Sequence, residues 1–81
     1  MACVLVLCGG RSAEHEISLL SAAFITETLA RRHTCHVVYI RRDGAWHYVP
    51  PPYPAEAFPA FPERAGEWPT AFVWRRGDGV W

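Results

Sequence analysis

Several features that would point to a specialised class of protein are missing from this sequence. The 81 residues carry no basic or acidic block and have a formal net charge of zero, so nothing favours nucleic acid as a partner. No apolar run is long enough to span a bilayer, and the apolar start lacks the positive charges of a signal peptide. We therefore expect one small globular domain in the cytoplasm, with no membrane partner.

Metal-binding and redox patterns are also missing. The cysteines at positions 3, 8 and 35 are odd in number, and their spacings match no zinc or redox motif. We expect buried, reduced thiols, of which Cys8 lies nearest the glycines that follow it. His36 and His47 could meet across a hairpin, but two ligands without a carboxylate or thiolate are too few for a metal. The sequence predicts them as solvent-exposed strand residues.

What the sequence does contain is a strand, a glycine turn and a helix in that order. Residues 2–8 form an apolar run that ends at Gly9 and Gly10, as expected for a parallel strand covered on both faces. Ser12 suits the N-cap of a helix predicted over residues 13–30. Steps of three and four residues predict its buried face, which comprises Ala13, Ile17, Leu20, Phe24 and Thr28, broadened by Leu19, Ala23 and Leu29.

The next stretch completes an α/β pattern. Residues 36–40 are rich in β-branched and aromatic side chains and predict a second strand, which a helical crossover makes parallel to the first. Asp43-Gly44 predicts a hairpin turn into an antiparallel strand over residues 45–49.

A proline-rich segment follows the hairpin. All seven prolines lie in residues 50–69 and predict an ordered or semi-rigid connection, packed onto the core by Phe58, Phe61 and Trp68. A further strand is predicted over residues 71–74 and a turn over residues 77–79.

The candidate chemistry lies at the helix start. Unpaired N–H groups and the helix dipole favour an anion there. Glu14 would face the crevice at the carboxyl end of the parallel strand and accept hydrogen bonds from an ammonium group. Gly9 and Gly10 would let the backbone approach such a ligand, although they form neither a dinucleotide motif nor a P-loop. An amino acid carries both charges; the alternative is that Glu14 only stabilises the helix dipole.

Residues 9–22, Gly-Gly-Arg-Ser-Ala-Glu-His-Glu-Ile-Ser-Leu-Leu-Ser-Ala, closely resemble the N-terminal signature of the D-alanine–D-alanine ligases, Gly-Gly-x-Ser-x-Glu-x-x-Val-Ser-x-x-Ser. Asp-Gly-Ala-Trp at positions 43–46, after the second strand, also resembles that family. The resemblance covers roughly the first half of the chain. It implies a Rossmann-like α/β domain at the front of an ATP-grasp ligase, which joins two D-alanines through an acyl phosphate for peptidoglycan synthesis.

The resemblance also implies roles for single residues. Glu14 would anchor the ammonium group of the first D-alanine, in a hydrogen-bonded link with a serine and a tyrosine of the central domain. Ile17 would line the same pocket. ATP and magnesium would be bound by domains outside this segment, and a homodimer stays open. Because the family's next landmark, His-Gly-x-x-Gly-Glu-Asp-Gly, does not occur, we expect residues 1–81 to be the N-terminal piece of a longer ligase.

Two alternatives remain open at this point. One is a truncated, non-catalytic binding or interaction module with the same fold. The other is a different ATP-grasp ligase with a similar front domain, which the Glu-His-Glu-Ile-Ser context makes the weaker of the two.

Overall fold

The computed structural model describes residues 2–71 and has the alternation of strand and helix that the sequence predicts. Strand β1 spans Cys3–Gly9, helix α1 His15–Leu29, strand β2 Thr34–Ile40 and strand β3 Trp46–Val49. The strand order in the sheet is β1-β2-β3. Strand β2 is parallel to β1 and antiparallel to β3. The α/β fold with a parallel pair and an antiparallel hairpin is therefore confirmed. The strand predicted at 71–74 and the turn at 77–79 lie outside the described residues, except for Ala71.

One face of the sheet carries the core. Val6 and Cys8 of β1 lie opposite Val37 and Tyr39 of β2, and all four side chains are buried in the core cluster with helix α1. On the opposite face the side chains of β1 are open, since Leu5 and Leu7 are 57% and 47% exposed. The expectation that β1 is covered on both faces does not hold for residues 2–71, because helix α1 and the proline-rich segment join the same core.

Helix α1 buries only part of the face that the sequence predicts. Its buried residues are His15, Leu19, Ala22, Ala23 and Thr26. The first-named residues of the predicted face are instead exposed, by 57% at Ile17, 61% at Leu20 and 73% at Phe24. Leu19 and Ala23, which broaden that face, are buried as predicted. Apolar residues lie on both sides of this helix, so apolar spacing alone does not identify the inner side. The two alanines distinguish it, because small side chains let a helix backbone lie close to a sheet.

The proline-rich segment folds into short helical turns. A 3₁₀ helix spans Ala55–Ala60, helix α2 spans Phe61–Arg64 and a second 3₁₀ helix spans Ala65–Glu67. The predicted anchors are confirmed, because Phe58, Phe61 and Trp68 are all buried. The ring centroid of Phe61 lies 4.6 Å from that of Phe58 and 5.2 Å from that of Trp68. Aromatic packing of this kind holds the segment on the sheet.

Strand β3 is held by the segments that follow it as well as by β2. The Tyr48 N–H donates to the Pro69 carbonyl (3.0 Å), and the Ala71 N–H donates to the Trp46 carbonyl (2.8 Å). At the end of the β2–β3 ladder the Tyr53 hydroxyl lies between the two strands. It accepts from the Val37 N–H at 3.3 Å and donates to the Val49 carbonyl at 2.6 Å. None of the helices in residues 2–71 has the length and apolar character needed to cross a membrane.

Candidate functional site

The turn between β1 and α1 consists of two glycines in a conformation that other residues rarely adopt. Gly9 has φ +90° and Gly10 has φ +107°. The Gly9 N–H donates to Ser18 Oγ at 3.1 Å, and the Gly10 N–H donates to the Ile40 carbonyl at 2.8 Å. Both amides are thus engaged within the chain. The glycines shape the turn and leave room for close approach, but these two N–H groups do not point to an anion site.

A short turn separates the glycines from the helix. The Ser12 hydroxyl accepts a hydrogen bond from the Glu14 N–H at 3.1 Å, and the Ser12 carbonyl accepts one from the His15 N–H at 3.2 Å. The N-cap position is therefore Glu14, with φ −83° and ψ 7°. The prediction of Ser12 as N-cap and of a helix from residue 13 is wrong by two residues, because Ser12 closes this turn before the helix begins.

Glu14 lies just beyond the carboxyl end of β1 and is exposed. Within residues 2–71 its carboxylate takes part in no hydrogen bond or ion pair, and it does not line the cavity described below. Ile17, in the first turn of α1, is 57% exposed. The binding of an ammonium group by Glu14 and the lining role of Ile17 stay predictions.

His15 makes a contact that sequence reasoning alone does not find. The ring is fully buried, and its Nδ1 lies 2.6 Å from the Gly10 carbonyl oxygen. Its Nε2 lies 2.9 Å from the Tyr39 hydroxyl, with the two rings edge to face at 5.4 Å. One feature of the sequence indicates that His15 is buried. It lies at helical spacing from Leu19 and Ala22, so it is a polar residue in an otherwise apolar stripe.

A cavity of about 400 Å³ lies beside this helix start. Side chains of α1, the residues after β2 and two prolines, Pro59 and Pro62, form its wall. Its charged groups are Glu16, Glu63 and Arg42, and Arg42 Nη2 lies 3.4 Å from Glu16 Oε1. This ion pair is exposed, so it contributes little to stability.

The remaining candidate groups do not form a site in the described residues. Burial raises the pKa of the Cys8 thiol to about 12, so it is a poor nucleophile. Cys3 is exposed and Cys35 half-buried, which corrects the expectation that all three thiols are buried.

The two strand histidines do not converge either. His47 is buried and its Nδ1 lies 3.1 Å from the Trp68 carbonyl, contrary to the exposed position predicted. His36 Nδ1 lies 3.0 Å from the Tyr48 hydroxyl. The pairing of Tyr39 with His47 places His47 on the sheet face opposite His36. Residues 2–71 contain no group of three or more His, Cys, Asp or Glu residues that could hold a metal ion.

A parallel β1–α1–β2 unit with a glycine turn and a carboxylate at the helix start defines a Rossmann-like α/β domain. The model of the family described as D-ala D-ala ligase N-terminus matches residues 3–69. The chain belongs to this family.

Curated relatives agree with that assignment. The D-alanine–D-alanine ligase of Treponema pallidum is 47% identical over 47 residues, which cover 58% of this chain and 12% of that protein. The ligase of Coxiella burnetii is 46% identical over 48 residues, covering 58% and 13%. This chain therefore matches about an eighth of the length of these relatives.

Solved structures share the fold. The D-alanine–D-alanine ligase from Coxiella burnetii has a TM-score of 0.59 and 39% identity, over 74% of this chain and 17% of that chain. The VanG D-Ala:D-Ser ligase from Enterococcus faecalis has a TM-score of 0.64 and 26% identity, over 75% and 18%. The matched part is a small share of each structure, so the rest of each ligase lies outside the comparison.

Proposed function

We propose that this chain is the N-terminal domain of a D-alanine–D-alanine ligase and contributes the site of the first D-alanine. The whole protein would use ATP to form D-alanyl-D-alanine for peptidoglycan synthesis in the cytoplasm. Family membership supports this proposal, and so does Glu14, an exposed carboxylate at the end of a parallel strand with no partner among residues 2–71.

The proposed task of Glu14 is electrostatic. A carboxylate accepts strong hydrogen bonds from an ammonium group, and that bond would fix one end of the first D-alanine while its carboxylate is converted to an acyl phosphate. Ile17, one helical turn further on, would cover the apolar side of the same substrate. Gly9 and Gly10 would permit close approach at the turn.

ATP and Mg²⁺ belong to other domains in this proposal. Mg²⁺ is usually bound through one or two carboxylates together with substrate phosphates. The glycine turn carries no lysine for phosphates. The partners of this domain would be D-alanine and the remaining ligase domains.

The test is kinetic and uses the full-length protein that carries this chain. Glu14→Gln keeps the shape of the side chain and removes its charge. Because a hydrogen bond to a charged group contributes about 1.5–3 kcal/mol, we expect the KM of the first D-alanine to rise about 10- to 100-fold. Glu16→Gln, two residues away and also exposed, is the matched control and should leave that KM unchanged. Wild-type kinetics in Glu14→Gln would contradict the assignment.

A non-catalytic interaction module is the second candidate, and the open face of β1 with Leu5 and Leu7 is the observation that favours it. Such a module would bind another polypeptide through this face. One measurement distinguishes the two candidates. A ligase forms D-alanyl-D-alanine from ATP and D-alanine in the full-length protein, and an interaction module does not.

A further inference from the structure

A chain of three polar groups, with the buried His15 at its centre, lies beneath the glycine turn. It runs from the Gly10 carbonyl through the His15 imidazole to the Tyr39 hydroxyl, with separations of 2.6 Å and 2.9 Å. His15 has no exposed surface. The contact of His15 with Gly10 therefore joins the two ends of the segment from Gly10 to His15. The contact of His15 with Tyr39 attaches this closed segment to strand β2.

The chemistry of these groups fixes the direction of the hydrogen bond to Gly10 and, for a neutral imidazole, that of the bond to Tyr39. A carbonyl oxygen only accepts, so His15 Nδ1 carries a proton. In the neutral ring Nε2 is then the acceptor, and the Tyr39 hydroxyl donates to it. Burial raises the pKa of that hydroxyl, against the opposing charge of Arg42, so Tyr39 stays protonated at neutral pH. A neutral His15 ring in this geometry is therefore the Nδ1–H tautomer.

The closed segment contains Glu14 and fixes the position of the backbone from which the Glu14 side chain extends. The Glu14 N–H is held by Ser12 Oγ, and its carbonyl accepts from the Ser18 N–H at 2.8 Å. Its carboxylate has no partner among residues 2–71, so the direction of the side chain depends on this backbone. The next residue, His15, fixes the backbone on the side that faces the core.

We propose that His15 is a positioning residue for the first D-alanine site: its hydrogen bonds to Gly10 and Tyr39 hold the backbone that aims Glu14 at the substrate ammonium group. This inference rests on the proposed function. His15 itself touches no substrate and transfers no proton in the reaction.

The experiment compares three variants of the full-length protein, each with and without Glu14→Gln. His15→Leu removes both hydrogen bonds. His15→Asn keeps an N–H near the place of Nδ1 and should restore the bond to Gly10. Tyr39→Phe removes only the hydroxyl group, so it tests the bond to His15 even if the His15→Leu protein does not fold.

We expect His15→Leu to raise the KM of the first D-alanine about tenfold, since a binding group displaced by about 1 Å can cost up to about 10²-fold. Tyr39→Phe should raise it less, and His15→Asn should recover most of the loss. In the Glu14→Gln background none of the three substitutions should raise KM further, because the carboxylate that His15 positions is already absent. A purely structural role predicts one of two other results. The first is a lower melting temperature and a lower kcat with KM unchanged, and the second is the same rise in KM with and without Glu14→Gln. Either result overturns the proposal.

A spectroscopic measurement tests the geometry independently of activity. In the chain labelled with ¹⁵N-histidine, the ring nitrogens of His15, assigned through His15→Asn, should report Nδ1–H and an unprotonated Nε2. An Nε2–H tautomer overturns the inference even if Glu14→Gln behaves as expected. Conversely, a wild-type full-length protein that forms no dipeptide refutes the proposed function and the positioning role with it, whatever the tautomer.

Discussion

Gly9→Ala is expected to destabilise this protein more than Gly10→Ala, although both glycines have a positive φ. A Cβ built at Gly9 would overlap the Ile40 carbonyl oxygen and lie 2.8 Å from Tyr39 Cε1. A Cβ at Gly10 would meet no atom within 4 Å. The two substitutions therefore share a backbone cost and differ in steric overlap.

The magnitudes follow from these two contributions. A non-glycine residue in a sparsely populated φ/ψ region costs about 1–3 kcal/mol, which is the whole expected loss for Gly10→Ala. Forcing an extra methyl group against packed atoms adds about 1–3 kcal/mol, so Gly9→Ala should lose about 2–6 kcal/mol. At about 4–8 °C per kcal/mol for a domain of this size, the melting temperatures of the two variants should differ by at least about 4 °C.

The assay is urea unfolding of the wild type and both variants, followed by tryptophan fluorescence, with thermal unfolding as a second measure. The slope of free energy against urea should be the same in all three proteins, because the surface exposed on unfolding does not change. Equal losses in the two variants, or a larger loss in Gly10→Ala, would refute the close approach of Gly9 to β2.

The other predictions concern the core, a thiol and a turn. Phe58→Ala should lower the free energy of unfolding by about 3–5 kcal/mol because its side chain is fully buried, and a loss below about 1 kcal/mol in urea unfolding would contradict this packing. At about pH 8, iodoacetamide should modify Cys3 and spare Cys8 until the chain unfolds; rapid labelling of Cys8, seen by peptide mass spectrometry, would refute its burial. The Ala45 N–H lowers the pKa of Asp43, so the unfolded state binds more protons, and the stability from this group is lost as the pH falls below about 4. Asp43→Asn should reduce that loss in melting temperatures measured between about pH 3 and 6, and an unchanged pH profile would count against it.

The order of elements could be predicted from the sequence, but the inner face of the helix could not. An apolar run that ends at two glycines predicts β1, a run of β-branched and aromatic residues predicts β2, and Asp43-Gly44 predicts the hairpin, because these signals are local. The buried face of α1 is decided by fit against the sheet. There the small Ala22 and Ala23 lie inside and the larger Leu20 and Phe24 outside, which apolar spacing alone does not distinguish.

The candidate site shows the same division. The order of residues along the chain predicts Glu14 and the glycine pair as site residues. The contact of His15 with Tyr39 joins residues 24 positions apart, and only folding brings them together. The helical turns between residues 55 and 67 were also missed, since the prolines argue against long helices but permit short 3₁₀ turns.

The Tyr53 hydroxyl between β2 and β3 has a consequence for how the hairpin can misfold. Sliding β3 by one residue would turn every side chain of that strand to the wrong side. It would also move the Val37 amide and the Val49 carbonyl out of reach of a single phenol oxygen, which contacts both only in the native alignment. Tyr53, which lies outside the sheet, thus stabilises only the native alignment of β2 and β3. The position of the start of the proline-rich segment depends on the same alignment.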